Sequence, residues 1–98
     1  MNIHRTVNND ELTLSIEGRL DTLTAPELEK TIDNDLGGIE KLVLDLEKLD
    51  YISSAGLRVL LHAEKIMQRL GGMRVKNVSE AVMEIFAVTG FDEILTIE

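Results

Sequence analysis

The stretch Leu42-Val43-Leu44-Asp45-Leu46, followed after Glu47-Lys48-Leu49-Asp50 by Tyr51-Ile52-Ser53-Ser54-Ala55-Gly56-Leu57-Arg58, decides the fold. Its first part is nearly all apolar. A strand of that kind is buried on both faces and lies inside a sheet. Its last part is a helix start. Serine is a preferred N-cap, and Gly56 in the first turn allows close backbone packing. The second helix is read from near Ser54 to about Leu70, where Gly71-Gly72 stops it.

Upstream of this stretch, Leu12, Leu14 and Ile16 alternate with Thr13, Ser15 and Glu17, the period of a half-buried strand. With Ile3, Val7 and the turn cluster Asn8-Asn9-Asp10 they form a hairpin. Gly18 is read as the end of that strand and Arg19-Leu20-Asp21 as a loop. Thr24 is the expected cap of the first helix, with Pro26 in its first turn and Glu27 completing a capping box. Leu28, Ile32 and Leu36 recur every four residues, and Gly37-Gly38 ends the helix.

Downstream, Met73 to Val78 reads as a strand. Ser79 caps a third helix with Val82, Ile85, Phe86 and Thr89 on its apolar side, and Gly90 closes it. Ile94 to Ile97 reads as a short final strand. The order β-β-α-β-α-β-α, with that last β, predicts an α/β fold: one mixed sheet with parallel pairs, and helices packed mainly on one face.

The chain of 98 residues is expected to be one domain, 1–98. Its core is aliphatic, with 15 Leu, 9 Ile and 7 Val against three aromatics, Tyr51, Phe86 and Phe91. Cysteine is absent, which excludes disulfides, thiolate nucleophiles and cysteine zinc sites, and fits a reducing compartment. Net charge is −8. So acidic a chain lacks the dominant cationic field that nucleic acid requires. Residues 51–78 nevertheless hold five cations and one acid, Glu64. No apolar run approaches the ~20 residues that cross a bilayer, and Met1-Asn2-Ile3-His4-Arg5 has no apolar signal core. The expectation is a cytoplasmic protein with no nucleic-acid partner and no membrane insertion.

Enzymatic motifs are missing. There is no phosphate loop and no dinucleotide fingerprint, and His4 and His62 stand in no metal-ligand spacing. Ser54 fails as a hydrolase nucleophile, because Ile52 occupies the first glycine position of the nucleophile elbow. Two readings of the serines remain. On residue types alone, capping leads. The other uses the same physics: a helix N-terminus offers free amides and about half a positive charge, so a serine there can carry a phosphoryl group. Such a site is a switch, not an active centre.

At this point the sequence resembles the STAS family, the sulphate transporter and anti-sigma factor antagonist domains. The resemblance rests on Gly18-Arg19-Leu20-Asp21, Pro26, the strand Leu42 to Leu46, Tyr51-Ile52-Ser53-Ser54-Ala55-Gly56-Leu57, Gly71-Gly72 and Thr89-Gly90-Phe91. A free-standing chain of this length is similar to the bacterial anti-sigma factor antagonists. The resemblance implies a phosphorylation-controlled partner switch. The unmodified form binds an anti-sigma factor that is also a serine kinase, which frees the sigma factor. Phosphorylation ends binding, and a metal-dependent serine phosphatase resets the chain. The family's acceptor lies two residues before the motif glycine, which is Ser54. Ser53 stands where antagonists often carry Asp, and is the second choice. Asp21 matches the family's acidic residue near the serine. No cofactor or metal is implied. The other role open to this module is a constitutive docking subunit of a larger signalling or lipid-transport assembly.

On a helical wheel of about 100° per residue, Gly56, Val59, Leu60, Ala63, Ile66, Met67 and Leu70 form the core arc of the second helix. Arg58, His62, Lys65 and Arg69 form the solvated face. Leu57 and Leu61 lie between, in line with Glu64 and Gln68, and either wrap the core or anchor a partner. The candidate partner surface is therefore Asp21, Ser53, Ser54, Leu57, Arg58 and Leu61.

Overall fold

A computed structural model describes residues 1–98. Strand β1 (Asn2–Asn8) and strand β2 (Glu11–Leu20) form the expected antiparallel hairpin. Asn9 makes the turn with φ 58°, a left-handed conformation that asparagine tolerates. Helix α1 (Ala25–Asp35) leads to β3 (Lys41–Asp45), which pairs parallel with β2 on one side and with β5 (Met73–Lys76) on the other. Leu42, Val43 and Leu44 are all buried, as a central strand requires. Helix α2 spans Ser54–Met67 and α3 spans Glu80–Thr89.

One cluster of 23 buried residues forms the core. Leu12, Leu14, Leu42, Leu44 and Val75 of the sheet meet Leu28 and Ile32 of α1, Leu60 and Met67 of α2, and Val82 and Phe86 of α3. The other sheet face carries the ion pair Arg74–Glu11 (2.9 Å). The fold is thus α/β, with a mixed five-stranded sheet and its helices on one side. No helix is long and apolar enough to cross a membrane.

Several boundaries differ from the sequence reading. Leu49–Ile52 is a strand, β4, which pairs parallel with the end of β2. Gly18 does not end β2. It takes φ +101°, bulges the strand and lets residues 18–20 change neighbours, from β3 to β4. Thr24 makes no side-chain cap, because its backbone is already helical (φ −100°, ψ −22°). Its hydroxyl donates instead to the Arg19 carbonyl at 2.7 Å. The final segment is a short helix, α4 (Phe91–Ile94), followed by a single bridge from Ile97 to Val75 rather than a strand.

The apolar arc of α2 also needs correction. The helix ends at Met67, so Leu70 falls in the following turn and is 43% exposed, and Ile66 is only half-buried. Leu57 belongs to the core. Glu64 is buried at 8% exposure, and its Oε2 has no hydrogen-bond partner. Burial raises its pKa against the opposing hydrogen bond from Gln68. A carboxyl whose folded value lies above its unfolded value costs stability once ionised. That cost is absent below the ordinary glutamate range and full above the raised value. Glu64→Gln should therefore gain on the native chain as pH rises through the ordinary glutamate range, and hold that gain above the raised value. Urea unfolding across that range checks this, and a stability difference independent of pH would contradict it.

Candidate functional site

The candidate site forms where the end of β2 meets the start of α2. The Ser53 amide donates to the Leu20 carbonyl at 2.9 Å, which ties the helix start to the strand end. Gly56 faces this junction. A Cβ there would lie 2.8 Å from side-chain atoms of Ile52 and Leu20 and 2.9 Å from the Leu20 carbonyl oxygen. Only glycine lets the helix sit this close.

The two serines differ in backbone, and so in role. Ser53 is extended (φ −97°, ψ 175°) and is the N-cap. Its Oγ accepts from the Gly56 amide at 3.4 Å, and its carbonyl accepts from the Leu57 amide at 2.9 Å. Ser54 is the first helical residue and is exposed, and its hydroxyl makes no hydrogen bond within the chain. Capping and a free hydroxyl are therefore separate jobs on adjacent residues. The cap satisfies the third and fourth amides and leaves those of Ser54 and Ala55 open, at the positive end of the helix dipole.

Asp21 stands in the loop between β2 and α1. Its Oδ1 accepts from the Leu23 amide (3.0 Å), the Thr24 amide (3.2 Å) and the Thr24 hydroxyl (3.2 Å). Its Oδ2 lies 3.7 Å from Arg19 Nε. Burial pulls its pKa upward, but the Thr24 and Leu23 amides, the Thr24 hydroxyl and Arg19 outweigh it and hold the carboxyl below its ordinary value. Asp21, not Thr24, organises the entry to α1. The Arg19 guanidinium also lies 4.2 Å from the centre of the Tyr51 ring, a cation–π contact across β2 and β4.

The loop and the helix share a groove of about 350 Å³ between α1 and α2. Thr22, Ala25 and Pro26 line one wall, and Ala55, Arg58 and His62 the other. His62 Nε2 lies 2.7 Å from Asp33 Oδ1 and closes the groove at its far end. Of the sequence-predicted surface, the structure brings Asp21, Ser53, Ser54 and Arg58 together at this pole. Leu61 is half-buried on α2, one turn beyond Leu57, and stands outside the core cluster. Leu57 does not lie on that surface. The wheel places it at the flank of α2, but the packed domain covers that flank and leaves 6% of it exposed.

Sequence reasoning missed the Arg19–Tyr51 contact, the His62–Asp33 pair and Leu23, which is 89% exposed beside Asp21. The first two join residues distant along the chain and leave no local signal. The Asp21-x-x-Thr24 spacing does carry a turn signal, which here serves the aspartate rather than the threonine.

The site thus joins an exposed serine hydroxyl at a helix start to an aspartate-ordered loop at one end of an α/β sheet. The chain belongs to the STAS domain family, whose profile matches residues 2–98. An anti-sigma-B factor antagonist of Bacillus subtilis is 32% identical over 101 residues, with 99% of this chain and 92% of that protein covered. The crystal structure of an anti-sigma factor antagonist from Mycobacterium paratuberculosis matches with a TM-score of 0.88 at 24% identity, over 98% of this chain and 83% of that one. The Bacillus cell fate determinant SpoIIAA shares the fold at 15% identity in its unphosphorylated form (TM-score 0.77, 99% and 87% covered). Its phosphorylated form gives a TM-score of 0.76 at 16% identity, over 99% and 91%.

Proposed function

We propose that this chain is an anti-sigma factor antagonist, switched by phosphorylation of Ser54. Unphosphorylated, it binds an anti-sigma factor that is also a serine kinase, and the sigma factor is released. Phosphorylation of Ser54 by that kinase ends binding, and a metal-dependent serine phosphatase restores the first state. The chain is a substrate and a ligand in this cycle, not a catalyst. It works in the cytoplasm, where sigma factors act.

The observation that carries this reading is the division of labour between the two serines. Ser53 is occupied as the cap, whereas the Ser54 hydroxyl is exposed and unbonded beside two open amides. A phosphate there carries about −1.5 to −2 charge and meets the favourable end of the helix dipole. It can be added without dismantling the cap. The 32% identity to a protein named as an anti-sigma-B factor antagonist supports the partner class.

The test is to incubate the chain with the anti-sigma factor kinase of its own genome and ATP, then map phosphate by mass spectrometry. Phosphate is expected on Ser54, removed by Ser54→Ala and retained in Ser53→Ala. The latter should lose only about 1 kcal/mol of stability with the cap. Phosphate confined to Ser53, or labelling undiminished in Ser54→Ala, would overturn the assignment. An unmodified chain that binds a transport assembly constitutively would favour the docking-subunit role.

A further inference from the structure

Leu23 is the most exposed large hydrophobic residue of the chain, at 89%. A lone exposed leucine says little, since folded surfaces carry many apolar atoms. This one is held in place. Its amide donates to Asp21 Oδ1 at 3.0 Å, and the Thr24 amide donates to the same oxygen. The Thr24 hydroxyl accepts from the Asp21 amide at 2.9 Å and donates to the Arg19 carbonyl. The Thr24 and Ala25 amides both reach the Asp21 carbonyl. A four-residue turn so densely bonded has already given up most of its conformational freedom, which lowers the entropic cost of using it in a contact.

Its position matters equally. Leu20, just before the turn, accepts from the Ser53 amide, and Thr22 shares a groove wall with Ala55. The turn therefore borders the start of α2, where Ser54 lies. Tyr51, the other exposed large hydrophobic residue at this pole, sits under the Arg19 guanidinium. Leu23 is the apolar group left free.

We propose that the Asp21–Thr24 turn is a preformed anchor: Leu23 enters an apolar pocket of the anti-sigma factor that reads Ser54, and Asp21 is a positioning residue that acts through Leu23. This rests on the partner-switch reading above. It assigns Asp21 a task within the chain, and makes the neighbouring leucine the group that touches the partner.

The test is a double-mutant cycle. Calorimetry measures the affinity of the unphosphorylated chain for the anti-sigma factor kinase that modifies it. Leu23→Ala should weaken binding by about ten- to a hundredfold, with an unchanged melting temperature. Asp21→Ala should weaken it comparably and speed amide hydrogen exchange at Leu23 and Thr24. Asp21→Asn, whose side-chain oxygen still accepts both amides, should retain most of the affinity. The double variant Asp21→Ala/Leu23→Ala should bind no worse than the weaker single variant. Full affinity of Leu23→Ala overturns the anchor. Additive losses in the double variant, or no rescue by Asp21→Asn, overturn the positioning role. A native chain that fails to bind the kinase at all overturns the partner-switch reading, and the anchor with it. A native chain that binds while Leu23→Ala binds equally well overturns the anchor alone.

Discussion

Phosphate on Ser54 is expected to weaken binding to the anti-sigma factor by about a hundredfold to several thousandfold while leaving the backbone in place. A partner surface that fits the neutral hydroxyl would have to bury the phosphate without a countercharge. An uncompensated buried charge costs about 3–5 kcal/mol, and each 1.4 kcal/mol is a factor of about ten. The chain's own net charge of −8 offers the phosphate no general relief. Locally, the open Ser54 and Ala55 amides accommodate it, so the free protein has no reason to rearrange. Ser54→Asp brings one charge and less bulk, and should reproduce the effect only in part. Calorimetry gives the affinity, and backbone amide NMR of the free protein gives the extent of change. Shifts confined to the Asp21 loop and the first turn of α2 are the expected result. Shifts that spread to α3 would mean a conformational switch in place of local exclusion.

Leu57→Ala and Leu61→Ala should separate cleanly, although they lie one helical turn apart. Leu57 is a member of the core cluster, so its truncation should cost about 2–5 kcal/mol of unfolding free energy. Leu61 is half-buried and outside that cluster, and its truncation should cost well under 2 kcal/mol. If Leu61 belongs to the partner surface, its variant should lose affinity while the Leu57 variant loses stability. Urea unfolding of both, beside calorimetry with the anti-sigma factor, checks the pair. Equal stability losses would place Leu61 in the core and move the contact surface elsewhere.

What the sequence revealed follows the range of the signals involved. The alternation Leu12-Leu14-Ile16 and the run Leu42-Val43-Leu44 are local patterns, and both strands lie where those patterns predict. β4 was not legible. Leu49-Asp50-Tyr51-Ile52 is four residues without a clear alternation, and it is a strand because the end of β2 pairs with it. The burial of Leu57 is of the same kind: a wheel describes one helix, and its flank is covered or open according to what packs beside it. At the site, the motif located the helix start to within a residue. Ser53 and Ser54 are the same residue type, so composition could not say which is the cap. Backbone angles decide it, and they depend on the Leu20 carbonyl that receives the Ser53 amide. Asp21 was legible as a turn former, but its hydrogen bonds to Leu23 and Thr24 required the folded loop.

The bulge at Gly18 has a bearing on timing. It allows one ten-residue strand to run from the hairpin, along the interior of the sheet, to the fully buried Leu20 that grips the helix carrying Ser54. Ser54 is thereby tied to a strand with fully buried residues, the kind of element that opens late, whereas an edge strand such as β1 and a one-turn helix such as α4 are the kind that fray. On the proposed function, a kinase acting on Ser54 would meet it already presented and need not wait for the substrate to breathe. The tempo of the proposed switch would then belong to the enzymes that add and remove the phosphate. Drift in the chain's overall stability, as long as it stays folded, should leave that tempo unchanged.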